Sequence, residues 1–253
     1  MYDEMTCAWD YTQLADAYLY RPQYAADFVD AALAHCGADK KIRVADIGAG
    51  TGNLTALLLE RECRVDAVEP NPAMRRHGVE LTARFGTTVT WFDAKAESTR
   101  LPRGIYDLVT FGSSFNVVDP QEALEEVAEI LRPHGWLMCC WNHRDIDDPL
   151  QRDIEAVIQR HIPEFSRGIR AGDPTPTIAA SGLFENAHAI QHRVVHTVSA
   201  RQWVEAWWSH ATLLRQAGKR MVEVVADIEN LLAGQDAVEI PYVTKGWLAQ
   251  VRS

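Results

Sequence analysis

The stretch VADIGAGTGNLT, residues 44–55, decides the fold. It opens inside a short apolar run, IRVADIG (42–48), of the kind that forms a strand buried on both faces. It then passes through Gly48, Gly50 and Gly52 into NLTALLLERE, whose apolar residues recur at helical spacing. Glycines are needed where a chain turns sharply and where a ligand must approach the backbone without a Cβ in the way. In an open parallel sheet such a turn sits at the carboxyl end of the first strand, the edge where ligands bind.

Working outward, the same alternation repeats. On the amino-terminal side, residues 12–36 read as helical, with Pro22 opening a second helix that runs through AADFVDAALAHC. On the other side come a strand RVDAVEP (64–70), a helix from Pro72, and strands TVTWFDA (88–94) and YDLVTFGSS (106–114). An acidic amphipathic helix (120–133) and a fifth strand WLMCCWN (136–142) follow. Strands alternating with helices of this length specify a mostly parallel sheet with helices on both faces. Beyond it, 149–162 is helical, GIRAGDPTPT (168–177) is loop-like, and AHAIQHRVVHTVS (187–199) has strand composition. Residues 200–234 then read as one or two helices rich in Trp, Leu and Val, before a closing strand at 238–252. The helical material between the last two strands is an elaboration over the sheet. The expected division is a core at 1–147 with a helical N-terminal cover, and 148–253 carrying helical insertions plus the last two strands, a single domain overall.

Composition narrows the partners. The chain has 253 residues, is 47% hydrophobic and 24% charged, and carries a formal charge of −10. A net negative charge argues against nucleic acid, whose binding draws its affinity from Lys and Arg neutralising phosphates. Five cysteines, Cys7, Cys36, Cys63, Cys139 and Cys140, form no CxxC pair or zinc-type spacing. Reduced thiols in a cytoplasmic protein are the simplest reading. The acidic start lacks a signal-peptide pattern, and no stretch nears the roughly 18 apolar residues of a membrane span. Membrane and nucleic-acid partners are therefore not expected, and homo-oligomerisation stays open.

Three readings of the glycine turn compete: a dinucleotide fingerprint, a phosphate loop and a turn that binds S-adenosylmethionine (SAM). No Gly-Lys-Ser/Thr follows, which removes the phosphate loop, and GAGTG departs from GxGxxG. Asp46, just before the first glycine, would repel a pyrophosphate but favour an ammonium. Glu69 ends the second strand about 20 residues on, where a carboxylate accepts hydrogen bonds from a ribose diol. Asp93-Ala94 ends the third strand, placed for an exocyclic adenine amine. The three acidic positions should converge on one edge of the sheet.

DIGAGTG, AVEPNPAMRR, WFDAKAESTRLP, YDLVTFGSSFNVVD and LRPHGWLMCCWNHRD, in that order over about residues 14–145, resemble a class I SAM-dependent methyltransferase. The likeness extends to the type 11, or trans-aconitate methyltransferase-like, subgroup. It implies a Rossmann-like seven-stranded sheet with the last strand reversed, and a helical substrate lid. It also implies that Gly48, Ala49 and Gly50 line the methionine part, Glu69 binds the ribose, and Pro70 and Met74 pack on the adenine. Asp93 and Ala94 would reach the adenine edge, Gly112 and Ser113 would lie under the sulfonium, and Tyr18 and Arg21 would cover the methionine carboxylate. The sequence departs at SSFNVVD, where relatives often carry a His and an aromatic after the Phe, and that bears on substrate class.

With SAM as electrophile, the protein mainly positions the partners. A base is needed only where the nucleophile carries a proton that must leave early. Tyr11 and His143 are the catalytic candidates, though His143 can equally be a solvated loop histidine. Trp9, Phe115, Asn116, Trp207 and His210 are candidates for the acceptor pocket. His188, His192 and His196 recur every fourth residue, which suits a metal on a helix. The local composition is strand-like, spacing them roughly 13 Å per step, so no metal is expected. Trp203 and Trp207 share a helical face, either as core or as a wall for an organic substrate. The expected function is methylation of a small organic acceptor, N- or O-directed, of a specialised-metabolite kind. The alternatives are a carboxylic-acid O-methyltransferase, which would need cations such as Arg144 or Arg170 in the pocket, an RNA methyltransferase, or a SAM-binding protein that has lost transfer.

Overall fold

The computed structural model describes residues 22–37, 41–167, 172–208 and 210–252. Helix α1 (Ala26–His35) leads into β1 (Arg43–Ile47), α2 (Asn53–Leu59), β2 (Arg64–Val68), α3 (Pro72–Thr82) and β3 (Val89–Phe92). Then come β4 (Tyr106–Gly112), α4 (Pro120–Ile130), β5 (Leu131–Arg144), α5 (Pro149–His161) and α6 (Thr175–Ala180). The chain closes with β6 (Phe184–Ser199), α7 (Ala200–Trp208), α8 (Ala211–Ala217), α9 (Met221–Leu231) and β7 (Ala237–Val251).

The seven strands form one sheet in the order β3-β2-β1-β4-β5-β7-β6. Strands β1 to β5 pair in parallel, and β7 runs antiparallel to both β5 and β6. The reversed strand expected from the family resemblance is present. Strand order reverses between β1 and β4, so their carboxyl ends open the crevice where doubly wound sheets bind ligands.

Alternation along the strands separates two cores. Ala45, Ile47, Val109 and Phe111 pack with α4 on one face, while Val44, Leu108 and Met138 pack with α1 and α2 on the other. Cys139 and Cys140 are split between the two faces, and burial raises both thiol pKa values. A third cluster, built from Ile154, Trp203, Trp207, Leu213, Val224 and Ile228 among others, forms the interior of a helical layer made by α5, α7, α8 and α9.

Four details differ from the sequence-based expectations. The helix expected from Pro22 starts at Ala26. α4 ends at Ile130, and its expected last turn joins β5 through an irregularity in which Tyr106 pairs Leu131 and Leu108 pairs Trp136. The loop-like segment contains α6, entered at Pro174. Among the described residues, 200–234 hold three α-helices, the second of which ends at Gly218, where φ is +53°.

One close approach fixes the α3–β3 contact. A Cβ on Gly78 would lie 2.1 Å from Cη2 of Trp91. The indole is locked there, because Trp91 Nε1 donates to Thr82 Oγ1 at 3.0 Å. Alanine is normally the better helix former, but overpacking costs about 1–3 kcal/mol. Gly78→Ala is expected to lower the melting temperature despite its helix propensity. An unchanged or raised value would show that Trp91 is free to move.

Candidate active site

The glycine turn is pinned to the neighbouring strand: Gly48 and Ala49 donate their N–H groups to the Val68 carbonyl at 2.8 and 3.0 Å. Gly48, Gly50 and Gly52 adopt φ of +66°, +58° and +82°, a region closed to most side chains. A Cβ on Gly48 would also lie 2.5 Å from Cβ of Ser114, whose hydroxyl donates to the Ile47 carbonyl at 2.7 Å. The segment after β4 therefore rests directly on the turn.

Asp46 is fully buried beneath the turn. The hydroxyls of Thr55 and Thr110 donate to its two oxygens at 2.6 and 2.7 Å. Burial, only partly offset by these bonds, pushes its pKa up to about 6. An acid whose folded value lies above its unfolded value stabilises the fold fully below the unfolded value. That contribution disappears as pH climbs to about 6. The lost stability is on the order of 3 kcal/mol. Asp46→Asn is expected to flatten this slope, so that its cofactor-free melting temperature gains on the wild type between about pH 4 and pH 7. Parallel pH curves for the two proteins would place the slope elsewhere.

Glu69 is buried at the end of β2, with one oxygen accepting from Gly50 N at 2.9 Å and the other from Asn71 N at 2.8 Å. Burial raises its pKa, and those two N–H groups and Arg75 act against the rise. Asn71 also caps α3, accepting from Ala73 N and Met74 N, with Pro72 in the first turn. This cap presents Pro70, Asn71 and Met74 on the cavity wall beside Glu69.

At the end of β3, Asp93 and Ala94 are not among the cavity-lining residues. The Asp93 side chain is 70% exposed and accepts from Arg75 Nη2 at 2.9 Å, while Ala94 is packed into the core. Lys95, Ala96 and Glu97 line the cavity there instead. After β4, Gly112, Ser113 and Asn116 face the cavity. Phe115 instead packs edge-on against Phe111 in the core, with ring centroids 5.3 Å apart. Its one-turn 3₁₀ helix (Phe115–Val117) rotates it inward. Ser113 has φ of +61°, and its Oγ lies 2.9 Å from the hydroxyl of Tyr24, a wall residue that sequence reasoning missed. Asn142 holds this N-terminal segment by donating to the carbonyls of Pro22 and Gln23.

At the end of β5, His143 lines the cavity, and burial together with the charge of Lys245 lowers its pKa to about 4. Its ring is neutral at physiological pH. The next residue, Arg144, donates to Glu155 at 2.9 Å and lies 4.7 Å over the ring of Trp207. Trp207 stacks in turn on His210, whose Nδ1 accepts from Leu213 N and so caps α8. Trp203, Trp207 and His210 all line the cavity. The three spaced histidines lie on β6; His188 stacks on His35, and His196 bonds the Gln23 carbonyl. Trp9, Tyr11, Tyr18, Arg21 and Arg170 lie outside the described residues.

A doubly wound sheet with a reversed seventh strand, a glycine turn after β1 and a carboxylate after β2 has the layout of a nucleoside-cofactor site. The comparisons with known proteins name the class. A family model for a methyltransferase domain matches residues 44–135. An uncharacterized methyltransferase of Mycobacterium bovis is 30% identical over 224 residues, covering 88% of each chain. The ubiquinone/menaquinone biosynthesis C-methyltransferase of Proteus mirabilis is 28% identical over 139 residues, 53% of this chain and 55% of that one. The fold matches a proposed type II methyltransferase from Anaeromyxobacter dehalogenans, with a TM-score of 0.60, 18% identity and coverage of 92% and 97%. It also matches a Haemonchus contortus phosphoethanolamine N-methyltransferase 2 in complex with phosphomonomethylethanolamine and S-adenosylhomocysteine (TM-score 0.54, 15% identity, coverage 97% and 58%).

This chain belongs to the class I SAM-dependent methyltransferases. S-Adenosylmethionine is its cofactor, and the residues present fit it. The turn excludes a Cβ at Gly48, a buried carboxylate with unused lone pairs stands at Glu69, and the adjoining wall carries more acid than base. Among the described residues, no helix is long and apolar enough to cross a membrane.

Proposed function

We propose that the enzyme methylates a small organic acceptor at nitrogen or oxygen, in specialised metabolism. The cofactor would lie at the strand ends and the acceptor beneath the helical layer, which would serve as its lid. The observation that carries this reading is the cavity. One space of about 1270 Å³ runs from Gly48 and Glu69 to Trp207 and His210. Pockets for one drug-sized ligand hold roughly 300–1,000 Å³, so this one has room for a cofactor and an acceptor together.

In this reading the backbone of Gly48, Ala49 and Gly50 cradles the methionine part, Glu69 takes the ribose hydroxyls, and Pro70 and Met74 flank the adenine. Gly112 and Ser113 sit near the reacting centre, and Asn116, Trp207 and His210 shape the acceptor side. Lys95 and Ala96 are better placed than Asp93 and Ala94 for the adenine edge. When bound, SAM supplies a methyl group activated by its sulfonium. His143, held neutral, accepts the proton that an acceptor hydroxyl or amine releases, and the surrounding walls exclude water. The described cysteines, Cys36, Cys63, Cys139 and Cys140, are free thiols, which supports a reducing, cytoplasmic setting.

The test is S-adenosylhomocysteine formation from SAM across a library of small amines, phenols and acids. Tight SAM binding with no product on any member would overturn the reading. On an acceptor that turns over, His143→Gln is expected to lower kcat by about 10²–10⁴-fold with little change in KM. The wild-type rate should show no His143 inflection between about pH 6 and 8, because the ring titrates near 4. Unchanged kcat in the variant would end the role of His143 as base.

A further inference from the structure

Tyr24 stands just ahead of α1, in a non-helical segment that three strands hold in place. Asn142 on β5 donates to the Pro22 and Gln23 carbonyls at 3.1 and 2.9 Å. His196 Nε2 on β6 bonds the same Gln23 carbonyl at 3.0 Å. Thr244 on β7, fully buried, accepts from Ala25 N at 2.8 Å and donates to Asn142 Oδ1 at 2.9 Å. The two carbonyls before Tyr24 and the N–H after it are thus all bound. Its backbone is fixed from both sides.

The side chain is held at its far end as well. Tyr24 Oη lies 2.9 Å from Ser113 Oγ, and a Cβ on Gly112 would stand 3.1 Å from the same phenol oxygen. Ser113 adopts φ of +61°, a conformation unfavourable for a residue that carries a side chain. Such strain persists where the surroundings over-determine it, and it clusters at functional sites. Here Ser113 N donates to the Cys140 carbonyl at 2.8 Å, and its hydroxyl meets the phenol. The next residue, Ser114, is the one that rests on Gly48. The two hydroxyls therefore stand one residue from the glycine turn, and Tyr24, Gly48, Gly112 and Ser113 line the same cavity.

Packing explains the ring but not the hydroxyl, because phenylalanine would fill the same space. A hydroxyl oxygen is electron-rich without carrying a charge. It is nearly indifferent to a neutral thioether but attracts a sulfonium and the polarised C–H bonds around it. We infer that Tyr24, oriented by Ser113, presents its hydroxyl oxygen to the sulfonium of SAM and so favours the charged methyl donor over its neutral product, S-adenosylhomocysteine. This rests on the cofactor lying at the strand ends, as proposed above. When the methyl passes to the acceptor, the S–C bonding pair stays on sulfur, which becomes neutral. The contact that favoured the donor is then gone, and the product is free to leave.

The experiment is titration calorimetry of the full chain with SAM and, separately, with S-adenosylhomocysteine, read as the ratio of the two affinities. Tyr24→Phe is expected to lower the preference for SAM by about three- to fivefold, the worth of one C–H···O contact. Its affinity for S-adenosylhomocysteine should stay within about twofold of wild type, since the neutral thioether loses no such contact. Ser113→Gly removes the other hydroxyl and relieves the positive φ, so it should fold well and shift the ratio in the same direction. Equal losses for both ligands in Tyr24→Phe would show a role in packing alone and overturn the inference. A ratio unchanged in both variants would overturn it too. If Glu69→Gln also left SAM binding unchanged, the cofactor would lie elsewhere, and the proposed placement would fall instead.

Discussion

Glu69→Gln is expected to weaken SAM binding by about 100-fold, while the cofactor-free protein melts only a few degrees lower. Two hydrogen bonds from ribose hydroxyls to a carboxylate are worth about 1.5–3 kcal/mol each, and a neutral amide keeps at most one of them. The variant also perturbs the resting turn. The two carboxylate oxygens accept from Gly50 N and Asn71 N, and one of these donors would face the new amide NH₂. That local cost is about 1–2 kcal/mol, or roughly 2–4 °C per kcal/mol for a chain of this size. The removed desolvation of a buried charge offsets part of it. Titration calorimetry with SAM and a thermal melt without it separate the two effects. A variant that binds within threefold of wild type would show that Glu69 only braces the turn.

Gly48→Ala is expected to abolish measurable SAM binding and to lower the melting temperature by about 10 °C. Two costs add at this position. A non-glycine residue at positive φ costs about 1–2 kcal/mol. The new methyl would also stand 2.5 Å from Ser114 Cβ and 2.8 Å from its Oγ, forcing the segment after β4 off its bond to Ile47. Gly104 is the control, because it has φ of +68° and nothing within 4 Å of the methyl that alanine would add. Gly104→Ala should show the conformational cost alone, about 1–2 kcal/mol. Equal losses at the two positions would mean that the Ser114 contact contributes nothing.

The strands were legible because each is short, apolar and bounded by turn residues. RVADI and RVDAV are buried at four of five positions, as a strand covered on both faces must be. Strand β5 was underestimated at its start, since LRPHG carries the Pro and Gly that normally mark a boundary. What makes it a strand is pairing with β4 across an irregularity, a long-range effect. Glu69 was legible because a strand end fixes the direction of the next side chain. Asp93 was not, because its orientation depends on Arg75, eighteen residues away on α3. Phe115 was misplaced for a local reason, a 3₁₀ turn that breaks the strand alternation. The pairing of Trp203 with Trp207 could be read from helical spacing, but their position on a cavity wall could not. It depends on α7 meeting β5 and β7 across the sheet edge.

The separate hydrophobic interior of the helical layer has a consequence for how such enzymes diversify. Ile154, Trp203, Trp207, Leu213 and Val224 pack chiefly among themselves rather than into the two cores that flank the sheet. In the proposed reading, substitutions that reshape the acceptor wall would be absorbed inside that layer, and the glycine turn and Glu69 would not register them. One lineage can keep a fixed methyl-donor socket and still exchange its clientele.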